Sequence, residues 1–153
     1  MGACLDEHDA FPVEGEPLRR LLKHERTRTG KVQITWYSLG CLHCQEPECA
    51  AACPKKCFYV DTQTGTVQLD STACVGCGAC ARACRYGAIR LAGGHKSAKC
   101  DGCAGRLREG RLPRCVEACP AMALTVDERP AIVNECRRQI QKALATGGMK
   151  SPT

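Results

Sequence analysis

Apolar residues along this chain come in short clusters broken by glycine, proline and charged residues, never in a long run. Ile132, Val133, Cys136, Ile140 and Leu144 recur at helical spacing, which predicts a helix over residues 130–145 with Cys136 in its core face. Gly147-Gly148 is its stop signal, and the tail beyond is expected to be mobile. Residues 58–61 and 66–69 flank Thr62-Gln63-Thr64-Gly65 and predict a hairpin. Residues 88–91 and 123–126 read as further short strands. Short helices are expected after Pro47, Gly78, Gly102 and Pro113. Leu18, Leu21 and Leu22, following Pro17, suit another short helix by their own pattern. No stretch reaches about 18 apolar residues, so no membrane-spanning helix is expected.

Composition changes this picture. Hydrophobic residues are 44% of the 153, but 15 are cysteine and 19 are alanine, leaving only 33 large apolar side chains. That is thin for a self-sufficient core, so something else must fill the interior. Cysteine at about one residue in ten suggests disulfides or bound metal. The odd count forbids complete disulfide pairing, and MGACLDEHDA has neither the charged nor the apolar region of an export signal. The expected setting is the cytoplasm, with metal ligation the stronger reading.

Spacing sharpens it. The first run is Cys41-x2-Cys44-x4-Cys49-x3-Cys53-Pro54, and the second is Cys74-x2-Cys77-x2-Cys80-x3-Cys84. The third is Cys100-x2-Cys103-x11-Cys115-x3-Cys119-Pro120. The second matches the bacterial ferredoxin spacing for a [4Fe–4S] cluster, with Arg85 in place of the usual proline. The others are the same motif with an insertion before the third cysteine. A cubane needs four thiolates, one per iron. A two-residue gap lets one tight loop present three sulfurs, and Gly76, Gly78 and Gly102 permit the close backbone approach. The fourth cysteine lies a helical turn further on and in two-cluster ferredoxins serves the other cluster. Zinc knuckles use two cysteine pairs and require no trailing x3-Cys, so zinc is the weaker reading.

These stretches resemble the multi-cluster, ferredoxin-like iron–sulfur subunits of molybdenum and tungsten oxidoreductases. That group includes dimethyl sulfoxide reductase, formate dehydrogenase, tungsten aldehyde oxidoreductase and benzoyl-CoA reductase complexes. The resemblance is carried by SLGCLHCQEPECAAACP, DSTACVGCGACARACRYGA and KCDGCAGRLREGRLPRCVEACP, and it covers about residues 36–126. It implies an α+β fold of ferredoxin-like repeats, with short strands and helices wrapped around [4Fe–4S] clusters plus a C-terminal helix. It implies a 1–35 extension supplying one ligand, a 36–126 polyferredoxin core, and a 127–153 helix and tail. Against the helical pattern of Leu18, Leu21 and Leu22, the segment after Pro17 would be a strand pairing with residues 32–37.

Family members carry four such motifs, and three complete ones stand here. The resemblance then implies three [4Fe–4S] clusters. The first takes Cys41, Cys44, Cys49 and Cys84; the second takes Cys74, Cys77, Cys80 and Cys53. The third takes Cys100, Cys103, Cys115 and Cys4, whose Ala-Cys-x-Asp setting resembles the stretch after the family's first motif. Cys57, Cys119 and Cys136 remain as non-ligands. His8, His24, His43 and His95 could in principle ligate iron, but His43, between two ligand cysteines, is read as tuning a cluster by hydrogen bonding or facing solvent. Arg85 would raise the potential of the first cluster by stabilising its reduced state, unless it points to solvent.

Charge fits the same reading. The formal +6 is offset by about −2 per oxidised cluster with its thiolates. The basic stretch from Arg19 to Arg28 then reads as a solvated or subunit-facing surface, and 4% aromatic residues are too few for a nucleic-acid stacking platform. No nucleophile–base pair, phosphate loop or HExxH occurs, so no catalytic residue is expected. The expected role is an anaerobic electron-transfer subunit without a catalytic site. Its partners would be a Mo/W-dependent catalytic subunit and a further electron-carrier or flavoprotein subunit, and self-association is compatible with that. A free ferredoxin is the nearer rival, a zinc-dependent nucleic-acid module the remoter one.

Overall fold

The computed structural model describes residues 2–8, 17–92, 96–126, 130–145 and 149–150; of 28, 92, 130–133, 136 and 149–150 only the backbone is described. Six helices and seven strands lie among them, mostly short. In chain order they are α1 (Gly2–Glu7), β1 (Arg20–Arg28), β2 (Lys31–Leu39), α2 (Glu48–Ala51), β3 (Phe58–Val60), β4 (Val67–Leu69), α3 (Ala79–Ala83), β5 (Ile89–Ala92), β6 (Lys96–Lys99), α4 (Ala104–Arg108), α5 (Arg114–Glu117), α6 (Pro130–Ala145) and β7 (Met149–Lys150).

β1 and β2 pair antiparallel along their whole length, Arg20 with Leu39 through Arg28 with Lys31. The strand therefore prevails over the helical pattern of Leu18, Leu21 and Leu22. The reason is alternation: Leu22 and His24 are buried on one face, while Lys23 and Glu25 pair with each other on the other. Val32, Ile34 and Trp36 share that outer face and are exposed. The expected hairpin over 58–69 forms as β3 and β4, and β5 pairs with β6, a strand not foreseen in the sequence. Residues 123–126 form no strand, contrary to expectation, because nothing pairs with them among the described residues. Met149 and Lys150 pair with His24 and Lys23, where the sequence suggests a loose tail. Helix α6 has the expected bounds, but the side chains of Ile132, Val133 and Cys136, like His95, lie outside the described residues.

The core is small, as the residue count requires. Leu22, Leu39, Tyr86 and Ile140 form it, joining the β1–β2 sheet to α6. Leu42, Cys44, Cys84 and Ala88 border it, so the apolar core ends where the cysteine motifs begin. Among the described residues no helix is long and apolar enough to cross a membrane.

Candidate metal centres

Two short helices, α2 carrying Cys49 and α3 carrying Cys80, pack on one another. Their contact brings residues of the first two motifs together. A cavity of about 290 Å³ is lined by Cys41, Cys44 and Cys49 from the first motif and by Cys84 from the second. A second, smaller pocket is lined by Cys74, Cys77 and Cys80 from the second motif and by Cys53 from the first. Each pocket thus borrows its fourth cysteine from the other motif.

The surroundings of the two differ. In the first, burial raises the Cys44 thiol and pushes Cys49 up to about 11. The Arg137 charge opposes the shift at Cys44, and the Lys99 charge opposes it at Cys49. Lys99 is itself 5% exposed, and among the described residues its ammonium donates only to the carbonyls of Val67 and Cys100. In the second pocket the sulfurs accept from their own neighbourhood. Ser97 N–H donates to Cys74 Sγ at 3.4 Å, and Ser97 Oγ lies 3.1 Å from Cys80 Sγ. Cys57 N–H donates to Cys53 Sγ at 3.4 Å. Burial works against ionisation of Cys53 and Cys74, but these donors hold both thiols below the ordinary cysteine value. Cys57 lines the same pocket, and burial pushes its thiol up to about 11.

Residues of the third motif lie close to α1. Cys4 is buried on α1, which lies against α5, the helix carrying Cys115. Arg106 of α4 clamps them: its guanidinium reaches Glu7 at 3.2 Å, Glu117 at 2.7 Å and the Leu112 carbonyl at 2.8 Å. The loop Cys100-Asp101-Gly102-Cys103 closes beneath α1. Gly102 has φ +75°, and a Cβ there would meet Thr66 Cγ2 at 2.9 Å, so a side chain is excluded twice over. His8 Nε2 lies 3.4 Å from Asp101 Oδ1 and 4.0 Å from Cys103 Sγ. Burial pushes the Cys100 thiol up to about 12.

His43 stands between the first and third sets. Its Nδ1 accepts the Val67 N–H at 3.0 Å, which places the proton on Nε2. Burial is the main reason its pKa falls to about 4, so the ring is neutral. Arg85, which the sequence suggests as a tuning residue, lines the first cavity, but its guanidinium is paired with the Glu48 carboxylate and half exposed. Cys119 lines neither pocket. The backbone N–H dipole of Ala123, with those of Leu124, Ala121 and Met122, holds its thiol below the ordinary value against the opposing effect of burial. Arg106, Ser97, Lys99 and Arg137 were not foreseen. Arg137 had a signal: it falls in register with Val133, Ile140 and Leu144 on the face of α6 that the helical period makes apolar.

Three buried side-chain polar atoms have no partner among the described residues: Arg19 Nε, His43 Nε2 and Arg137 Nε. All three are N–H donors, and all adjoin cysteine motifs. Buried donors without acceptors fit an anionic group whose sulfurs only accept, which is what a thiolate-bound [4Fe–4S] cluster presents.

The sequence matches the 4Fe-4S dicluster domain over residues 32–129, more than half of the chain. It is 42% identical over 132 residues to one of the component chains of the anaerobic dimethyl sulfoxide reductase of Escherichia coli, covering 80% of this chain and 62% of that one. It is 35% identical to a subunit of the sulfite dehydrogenase of Allochromatium vinosum, over 75% of this chain and 52% of that protein. It is 30% identical to the iron–sulfur subunit of the nitrate-inducible formate dehydrogenase of E. coli, over 80% of this chain and 42% of that protein. The chain thus spans less than two thirds of the length of these relatives. With the first two cysteine motifs lining pockets that exchange their fourth cysteines and this match along its core, the chain belongs to the 4Fe-4S dicluster domain family.

Proposed function

We propose that this chain is an electron relay that holds three [4Fe–4S] clusters and has no catalytic site of its own. The observation that carries the reading is the exchange of fourth cysteines, Cys84 lining the first cavity and Cys53 the second pocket. Cys41, Cys44, Cys49 and Cys84 would hold one cluster, and Cys74, Cys77, Cys80 and Cys53 the next. Cys100, Cys103, Cys115 and Cys4 would hold the third. Bound there, the clusters supply one-electron transfer with no open coordination position. The protein keeps the sulfurs dry, aims N–H donors at them and sets the local charge. His43, placed between the first and third sets, would orient its free N–H toward sulfur.

The relatives' names support a partner. Each is one subunit of a reductase or dehydrogenase, so the chain would dock on a catalytic subunit of molybdenum- or tungsten-dependent type and pass electrons to or from a further carrier. The exposed Val32, Ile34 and Trp36 on β2 offer an apolar face for such docking. Fifteen cysteines kept as ligands or thiols suit the reducing cytoplasm.

Anaerobic iron and acid-labile sulfide analysis tests the reading. About twelve of each per chain are expected, four per cluster. About sixteen would refute the count of three, and stoichiometric zinc in place of iron would refute the relay.

A further inference from the structure

Arg137 is an anomaly on α6. Val133, Arg137, Ile140 and Leu144 follow the helical period along one face, and Ile140 is buried in the core against Leu22, Leu39 and Tyr86. A charged side chain in that register needs a reason. Arg137 lines the first cavity beside Cys44, Cys84 and Tyr86. Its Nη1 makes one long contact, 3.4 Å, to Asn134 Oδ1. Its Nε is buried with no acceptor among the described residues, and no carboxylate there pairs with it. A buried guanidinium donor left without an acceptor is costly, so the natural counterpart is an anion within the cavity.

We infer that Arg137 is a positioning residue for the group held by Cys41, Cys44, Cys49 and Cys84, donating its Nε–H to a sulfur there and raising the reduction potential of that site above the others. This rests on the relay reading above. Reduction adds one negative charge to the cluster, and a cation with a donor aimed at sulfur stabilises the reduced form more than the oxidised one. Arg85 does not compete for this role, since Glu48 neutralises it at the surface.

The test uses the full chain, purified anaerobically with its clusters. Iron and sulfide are counted first, then each cluster is titrated by EPR-monitored potentiometry. Arg137→Gln should keep the iron and lower one midpoint, shifting that reduction equilibrium at least tenfold, about 59 mV for one electron. The shifted signal should be the one that Cys44→Ala abolishes, with the others unmoved. An unmoved potential at full iron content overturns the inference and leaves the relay standing, whereas absence of iron from the wild type overturns the relay itself. An equal shift in Arg138→Gln, an exposed neighbour paired with Glu135, would assign the effect to net charge and also overturn it. Should Arg137→Gln lose iron, Arg137→Lys carries the test. It keeps the charge and removes the Nε donor, so the same midpoint must still fall, and an unchanged one refutes the proposal.

Discussion

The first and second cysteine sites are built from the same motif and face one another across α2 and α3, yet they handle charge in opposite ways. The first is flanked by cations from distant parts of the chain, Arg137 of α6 and Lys99 of β6, neither with a carboxylate partner among the described residues. The second relies on hydrogen-bond donors placed directly at its sulfurs, the Ser97 N–H and hydroxyl and the Cys57 N–H, and its Cys77 is exposed. A long-range cation acts on the whole site through a weakly screened field, whereas a short hydrogen bond acts on one sulfur. Two copies of one motif can therefore sit at different potentials without any change in ligands. That gives a relay a downhill step.

The largest effect should come from breaking the exchange that joins the two sites. Cys84→Ala is expected to empty the first site and Cys53→Ala the second, each removing about four irons. EPR of the two variants checks this. If Cys84→Ala instead abolished the signal that Cys74→Ala abolishes, the exchange would be wrong.

Next in size is the third site, which neither neighbour supports. Arg106→Gln removes the clamp between α1, α4 and α5. The Arg106 side chain is 7% exposed and its removal unpairs the Leu112 carbonyl as well as Glu7 and Glu117, so the variant should lower the stability of the fold. Denaturant unfolding measures it. The same variant should lower occupancy of the site containing Cys4, while Cys4→Ala should remove that cluster alone.

Smaller shifts would sharpen the contrast in potential. Ser97→Ala deletes the hydroxyl 3.1 Å from Cys80 Sγ and should lower the second midpoint only. Lys99→Gln deletes the buried ammonium and should lower the first midpoint, and that of the adjoining Cys100 site, without moving the second. Potentiometric titration of both variants decides it. Equal shifts across all sites would mean that the two environments do not differ as described.

The smallest expected effect tests the frame on which the sites rest. Asp61 accepts N–H bonds from Gln63 and Thr64 and pairs with Arg108 of α4, tying the β3–β4 hairpin to the third motif. The Gln63 N–H, with Arg108, holds its carboxyl below the ordinary carboxylate value. Stability from Asp61 is therefore fully present above roughly pH 4 and is lost as the pH falls through the folded-state value. Asp61→Asn should lower the Tm at neutral pH and make Tm fall less steeply in acid. Parallel Tm–pH curves for the two proteins would rule this out.

The sequence by itself determined what is local. Cysteine spacing marked out three motifs, because a tight loop around a metal centre tolerates little variation. Gly78 and Pro113 marked where α3 and α5 begin, and the apolar period gave α6 its bounds. What tertiary structure alone decided was everything that depends on a partner distant in sequence. The leucines near Pro17 suited a helix until β2 supplied a strand to pair with, and residues 123–126 had strand character but no partner. Arg85 looked like the tuning residue because it is next to Cys84, yet Glu48, 37 residues away, takes up its charge. Arg137, 52 residues beyond Arg85 in the chain, reaches the same cavity because Ile140 anchors α6 in the core. Coordination needs neighbours along the chain, but electrostatics acts through space, and only the folded chain shows which charges are close.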